Sequence, residues 1–393
     1  ERRRGLGLHL MNASELVDAA AAETGLDDAG GESFREGLET LVEALGESGE
    51  LGELGHVVAR GHLLRLLANR FRIEECYRSH PEIDEQTTPA PIVVLGLPRT
   101  GTTALSARLA RDPATRSLLT WESGAPTPPP ETATRETDPR IEASRAEMAA
   151  MYAAFPDMKK MYGAEATDPT ECQDLLGMEF QTHHFCGQYW IPGYEAWLME
   201  RDMTGAYRIH QRTLKLLQWR CPPNRWHLKT PVHMLSLDSL DRVYPDARFI
   251  MTHRDPAAVL GSLCALIQVT RSMASEKRDP HRIGREQLAL WPLALERAMA
   301  FRTRVGEERF ADVFFSEQLS DPVGVVERAY AKLGLPFGVA VRERMAAWAE
   351  TRQRGRHGSY TYHLEDFGLG AESVRERFQF YLERFAIDTE DAP

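Results

Sequence analysis

No stretch of this 393-residue chain reaches the ~20 consecutive apolar residues that a membrane-spanning helix needs. Residues 1–12 hold no apolar signal core, and a cytoplasmic location is expected. Cysteine is scarce. Cys76, Cys172, Cys186, Cys221 and Cys264 are scattered, odd in number and form no CxxC pair. They read as reduced, mostly buried thiols and not as a disulfide framework. Excess positive charge is also missing: the net charge is −11, which argues against a nucleic-acid partner held by bulk electrostatics. An anionic ligand must therefore be held by a local cluster of donors. There is no internal repeat and no low-complexity tail.

What is present reads as a soluble globular chain, with 42% hydrophobic and 27% charged residues. Residues 13–80 are helical text, with Leu16, Ala19 and Ala20, then Phe34, Leu38, Leu41 and Leu45, at helical spacing. A polar link at 82–91 separates them from Ile92-Val93-Val94-Leu95, the short continuous apolar run of a buried parallel strand. Residues 124–140 are proline-rich loop, residues 148–161 and 171–190 resume helical text, and a helix at 210–219 stops at Pro222-Pro223. Strand candidates follow at 225–229, 248–253 and 312–316, each succeeded by helical text. The alternation predicts an α/β fold with a central parallel sheet flanked by helices. Residues 1–90 form an N-terminal helical layer, and 91–393 form the α/β domain, with a helical insertion at about 120–220.

Gly96-Leu97-Pro98-Arg99-Thr100-Gly101-Thr102-Thr103 lies between that first strand and a helical pattern carrying Leu105 and Leu109. Glycines let backbone N–H groups turn inward, and the helix start adds the positive end of its dipole, so the segment is an anion cradle. The spacing is that of the nucleoside-triphosphate loop G-x-x-x-x-G-K-S/T, but Thr102 stands where the Lys belongs. That Lys reaches the β- and γ-phosphates, so its loss speaks against ATP chemistry. Arg99 supplies a cation from another direction. A second constellation ends the strand at 248–253. Arg254 follows the strand, Asp255 caps a helix, Pro256 fits its first position, and Ser262 lies two turns on. An Arg at a strand tip with a Ser on the adjoining helix makes a compact second phosphate site. Strand ends of a parallel sheet share one crevice, which brings Arg254 toward Arg99.

Together these residues resemble sulfotransferases that use 3'-phosphoadenosine 5'-phosphosulfate (PAPS). Pro98–Thr103 resembles their 5'-phosphosulfate loop, with Arg99 at a position where they carry Lys or Arg, and Arg254 to Ser262 has the spacing of their 3'-phosphate element. Trp226-His227-Leu228-Lys229-Thr230-Pro231-Val232-His233 looks like the strand that carries their active-site Lys and, in some members, a catalytic His. Residues 313–322 look like their YEDL…DP strand–turn, with Phe315 and Ser316 departing from it. Residues 356–369 resemble the tail of a bacterial branch. The resemblance covers roughly 90–385 and leaves the N-terminal helices unexplained.

The resemblance implies PAPS as donor, adenosine 3',5'-bisphosphate as product, no metal, and in-line transfer to a hydroxyl or amine. It assigns Arg99, Thr100, Gly101, Thr102 and Thr103 to the 5' side, Arg254 and Ser262 to the 3'-phosphate, and Arg356 to a closing segment. Lys229 would neutralise charge on the leaving oxygen. Two bases compete for the acceptor proton. His233, just past the strand tip, has an ordinary pKa near ~6.5 suited to the task. Glu171, in Asp168-Pro169-Thr170-Glu171, begins a helix. Spacing favours neither decisively, and His233 is preferred.

His183-His184 suggests a metal only weakly, because adjacent helical residues face different ways and no ligand sits at i+4. Met148, Met151, Met158 and Met161 with Tyr152 and Phe155 make one apolar stripe. Phe180, Phe185, Tyr189, Trp190, Tyr194 and Trp197 make another, and together they could wall a hydrophobic acceptor cavity. The acceptor is a small-molecule or lipid hydroxyl; phenol, sterol, glycolipid, polyketide hydroxyl and carbohydrate all fit the sequence, as does a homo-oligomer. A nucleotide-dependent kinase and a non-catalytic nucleotide-binding protein are the alternatives.

Overall fold

The computed structural model describes residues 11–351 and 360–390. The N-terminal helices are α1 (Ala13–Thr24), α2 (Arg35–Ser48) and α3 (Glu53–Ser79), followed by strand β1 (Ile92–Gly96) and α4 (Thr102–Leu109). Strand β2 (Arg116–Ser117) leads into α5 (Thr120–Gly124), α6 (Pro139–Ala154), α7 (Pro156–Tyr162), α8 (Gln173–Gly177), α9 (His184–Gln188), α10 (Pro192–Met199) and α11 (Thr204–Gln218). Then come β3 (Trp226–Lys229), α12 (Leu237–Val243), β4 (Arg248–His253), α13 (Pro256–Arg271), α14 (Pro280–Val305) and β5 (Phe310–Phe314). The chain ends with α15 (Phe315–Ser320), α16 (Gly324–Lys332), α17 (Val339–Thr351), α18 (Ala371–Arg377) and α19 (Gln379–Phe385).

The sheet is five-stranded, in the order β2-β3-β1-β4-β5, and every pairing is parallel. Val94 stands in register with Lys229 on one side and Ile250 on the other. Every residue of β1 is buried. Its alternate side chains feed opposite faces of the sheet: Val93 and Leu95 join the larger core, Ile92 and Val94 the smaller. The larger core also takes Leu16, Leu38 and Leu66, so α1–α3 pack onto the sheet. A buried Arg70–Glu179 pair, 2.6 Å apart, ties α3 to the segment before α9.

Three expectations change. Strand β5 begins two residues earlier than anticipated and its text passes at Phe315 directly into α15. The two-residue strand β2 was not anticipated, because it is too short to carry a periodic pattern. The predicted helix at 171–190 is two short helices instead. Phe180 adopts φ +54°, a left-handed conformation, and the Tyr194 hydroxyl donates to the Phe180 carbonyl at 2.8 Å. An aromatic stripe continuing across residues 180–185 therefore belongs to a bend packed in the core. All five cysteines are free, and Cys172, Cys186, Cys221 and Cys264 are buried. Among the described residues no helix is long and apolar enough to cross a membrane.

Candidate active site

Strands β1, β3 and β4 deliver the phosphate loop, Lys229 and Arg254 to the same end of the sheet. The loop turns on unusual backbone. Gly96 has φ +132°, Arg99 φ +66° and Gly101 φ +87°. A Cβ on Gly96 would meet Thr252 Oγ1 and the Thr252 carbonyl, so β4 needs glycine there. A Cβ on Gly101 would stand 2.9 Å from Gln318 Nε2. Gln318 also donates to the Thr100 carbonyl at 3.1 Å, bracing the loop from α15. That residue lay within the YEDL-like text, but its role was not evident from the spacing.

Thr100 faces inward and is fully buried; its hydroxyl donates to the Leu97 carbonyl and meets Thr252 Oγ1, each at 2.6 Å. It shapes the loop. Thr102 and Thr103 open α4, the first buried and the second exposed.

Arg99 Nε donates to Ser262 Oγ at 3.0 Å, and its Nη1 donates to the Met161 carbonyl at 3.3 Å. Burial pulls its pKa down, and no carboxylate pairs with it among the described residues. Arg254 Nη1 donates to the Arg99 carbonyl at 3.1 Å. The two anion elements thus adjoin across α13. Asp255 caps α13 by accepting from Ala257 N–H at 3.0 Å, and Pro256 opens it, as anticipated.

Arg254 already holds an anion. Its Nε and Nη2 donate to the two carboxylate oxygens of Glu390 at 2.9 and 2.8 Å, and its guanidinium lies 4.0 Å from the Phe315 ring centre. Glu390 is anchored independently, its N–H donating to Asp255 Oδ2 at 2.8 Å. This tail contact spans 136 positions, and no local pattern foretells it. Arg356, expected to close over the 3' side, lies outside the described residues.

Beside the loop, Lys229 Nζ donates to Glu171 Oε1 at 2.9 Å, while Thr230 Oγ1 and Gln173 Nε2 donate to Oε2 at 2.9 and 2.8 Å. Lys229 is 1% exposed at its side chain and Glu171 22%. Burial is the largest single influence and alone would push both toward neutrality, but the partner's charge together with the hydrogen bonds and neighbouring groups outweighs it in each case. Glu171 is held below the usual carboxylate range and Lys229 above the usual ammonium value, so the pair is ionised.

His233 is placed differently from the preference that spacing supported. It is 0% exposed, and its Nδ1 meets the Tyr207 hydroxyl at 2.8 Å. Burial lowers its pKa to about 3. Pro231 and Val232 reach the cavity wall, whereas His233 turns into the core. The short 3-10 turn that Pro231 opens rotates the histidine away. His227, on the same strand face as Lys229, bridges Ser117 at 2.9 Å and Ser106 at 3.2 Å.

A cavity of about 400 Å³ opens beside this pair, reaching from Pro98 and Glu171 to α13 and α14. Of the methionine stripe, Met161 is a core residue and Met148, Tyr152 and Phe155 pack against core clusters, whereas Met151 and Met158 line the cavity, with Tyr162. The aromatic stripe does not: Phe180, Phe185, Tyr189 and Tyr194 are core residues. His183 and His184 diverge as expected, but each meets ligating groups from other segments. His184 groups with His62 and Asp174, and His183 with Cys186 and Glu195; within each trio the atoms lie within 4.8 Å of one another. Either trio could hold a metal ion. In the first, however, Asp174 is already paired with Arg65 at 3.1 Å. Spacing missed both trios, because α3 and α10 supply the third member.

A family model described as "Sulfotransferase family" matches residues 91–338. The chain is similar in structure to the sulfotransferase STF9 from Mycobacterium avium, with a TM-score of 0.90 and 31% identity over 98% of this chain and 99% of that one. It is also similar to the sulfotransferase STF1 from Mycobacterium tuberculosis H37Rv, with a TM-score of 0.84 and 32% identity over 94% and 98%. A search of curated proteins finds no match.

Proposed function

Because the chain belongs to the sulfotransferase family, alongside bacterial members, we propose that it moves a sulfuryl group from PAPS to an acceptor hydroxyl, with Glu171 as the base. The observation that carries this reading is the junction of the two anion elements, Arg254 bonded to the Arg99 carbonyl and Arg99 to Ser262. A nucleotide with phosphates on both its 5' and 3' sides matches that pairing; ATP has no 3'-phosphate to place there. The donor set fits a bisphosphate chemically as well. Arg99 is a buried cation with no carboxylate among its described partners, and the Glu390 carboxylate already occupies Arg254 as an anion.

PAPS supplies the sulfuryl group and a phosphate leaving group. Arg99, the loop N–H groups and the hydroxyls of Thr102 and Thr103 hold the 5' side. Arg254 and Ser262 hold the 3'-phosphate, with Arg356 assigned there by family likeness alone. Lys229 neutralises charge on the leaving oxygen. As the acceptor oxygen bonds to sulfur and the sulfur–phosphate bridge breaks, the acceptor proton passes to Glu171. Adenosine 3',5'-bisphosphate and a sulfate ester result. Glu171 is favoured over His233 because it lines the cavity and is ionised, whereas His233 is sealed in the core. Lys229 links the two tasks: when it turns to the donor, Glu171 loses the charge that suppresses its basicity. None of these steps calls for a metal.

Glu171→Gln should cut turnover by about 10²–10⁴ while leaving calorimetric affinity for adenosine 3',5'-bisphosphate intact. In wild type that nucleotide should bind more tightly than ATP or AMP. ATP binding as tightly as the bisphosphate would overturn the donor, and undiminished turnover in Glu171→Gln would overturn the base.

A further inference from the structure

The cavity beside Glu171 has two kinds of wall. One is apolar, built from Met158 on α7, Leu263, Leu266 and Ile267 on α13, and Leu290 and Trp291 on α14. Its volume of about 400 Å³ falls in the range of pockets that enclose a drug-sized molecule. The other wall is polar, on α9 and α10, and its hydrogen-bonding capacity is incompletely used. His183 Nδ1 is buried without a partner, on a side chain only 8% exposed, and stands 3.9 Å from Glu195 Oε1. Gln188 Oε1 is likewise buried and unpartnered, although its Nε2 meets His184 Nε2 at 3.0 Å.

Such groups cost free energy when buried alone, so a ligand that satisfies them gains what the empty wall lacks. Arg271 forms an ion pair with Glu286 at 2.8 Å and its Nη2 donates to the Cys186 carbonyl at 2.8 Å, while its buried Nε and Nη1 make no hydrogen bond. The Arg271 charge is already balanced by Glu286. Gln188 Oε1 can only accept, so it suits a hydroxyl donor, and His183 Nδ1 accepts from or donates to a hydroxyl according to its tautomer.

We propose, building on the function above, that the acceptor is an uncharged, largely apolar alcohol or phenol with a second hydroxyl. That hydroxyl binds at Gln188 and His183 while the first is sulfated beside Glu171. The apolar wall disfavours a carbohydrate, whose hydroxyls would lose water without partners there. The Glu286 carboxylate, already balancing Arg271, disfavours a second carboxylate.

The test compares acceptors on one scaffold with PAPS as donor: phenylphenol, biphenol, hydroxybiphenyl carboxylate and, as the polar extreme, glucose. Biphenol should exceed phenylphenol in kcat/KM by tenfold or more, after correction for its two equivalent hydroxyls. The carboxylate and glucose should fall below both. Gln188→Leu should shrink the ratio of biphenol to phenylphenol toward one. Glu195→Gln serves as a second variant, with thermal melting to establish that each is folded, and should keep the ranking of the neutral acceptors. Equal rates for biphenol and phenylphenol, preference for the carboxylate or glucose, or an unchanged ratio in folded Gln188→Leu would overturn the proposal. Binding of the bisphosphate without turnover of any of the four would overturn the acceptor class and leave the donor site standing. Neither binding nor turnover would overturn the function on which the proposal rests.

Discussion

Glu390 sits on the arginine proposed for the 3'-phosphate, so its charge should compete with the donor. Glu390→Gln isolates that charge. The side chain stays nearly the same size, and the backbone N–H bond to Asp255 that anchors the tail is untouched. The pair is partly exposed, with Arg254 20% and Glu390 35% accessible at their side chains. Such pairs contribute ~0.2–1 kcal/mol, and the two-point geometry places this one toward the upper end. At about 1.4 kcal/mol per tenfold, removing it should tighten adenosine 3',5'-bisphosphate about two- to fivefold. Titration calorimetry at low salt reads the change. AMP, which lacks the 3'-phosphate, should respond much less, and added salt should narrow the difference. An unchanged or weakened bisphosphate affinity in Glu390→Gln would refute competition and make Glu390 an orienting partner of Arg254.

Acid should destabilise the fold early. Burial holds His210, His227 and His233 near 3 and His183 and His184 near 4, so the unfolded chain binds more protons than the folded one below about pH 6.5. The melting temperature should therefore fall from pH 7 toward pH 4, each histidine contributing up to ~1.4 kcal/mol per pH unit; a flat profile would contradict this. Gly101→Ala, at φ +87° and against Gln318, should cost about 1–2 kcal/mol in melting and weaken bisphosphate binding, and normal values for both would remove the need for glycine. Lys229→Met should slow turnover and move the acid limb of the residual pH–rate profile upward, because burial then acts on Glu171 without its main opposing charge. An unshifted limb would sever the link between Glu171 and that profile.

The α/β fold was legible because β1 is a short apolar run and the strand candidates at β3 and β4 are each followed by helical text, and the anion loop because its chemistry lies in consecutive backbone. Arg254, Asp255 and Ser262 were legible for the same reason: a strand tip and two helical turns fix their relation. Lys229 and Glu171 were both named, but their ion pair joins positions 58 apart, and no local rule foretells it. His233 misled because a strand's alternation does not extend through the turn that Pro231 opens. Gln318 and Glu390 reach the site from later segments, and His62 and Glu195 complete their ligand trios across the chain. Each of these depends on tertiary packing.

The phosphate loop proposed for the donor is set by backbone at the end of β1, intolerant of change at Gly96 and Gly101. The cavity wall is made of side chains such as Met158, Leu266 and Trp291, drawn from α7, α13 and α14. Exchanging one of these for another apolar side chain alters cavity shape without moving a strand. One junction between the two lies at Lys229. Cys172 N–H donates to the Lys229 carbonyl at 3.1 Å, and the side chains of Lys229 and Thr230 hold Glu171. The insertion is thereby fastened to the end of β3. Wall residues can therefore vary while Glu171 keeps its position relative to Lys229 and the phosphate loop, which under the proposed function would change the acceptor and leave the chemistry in place.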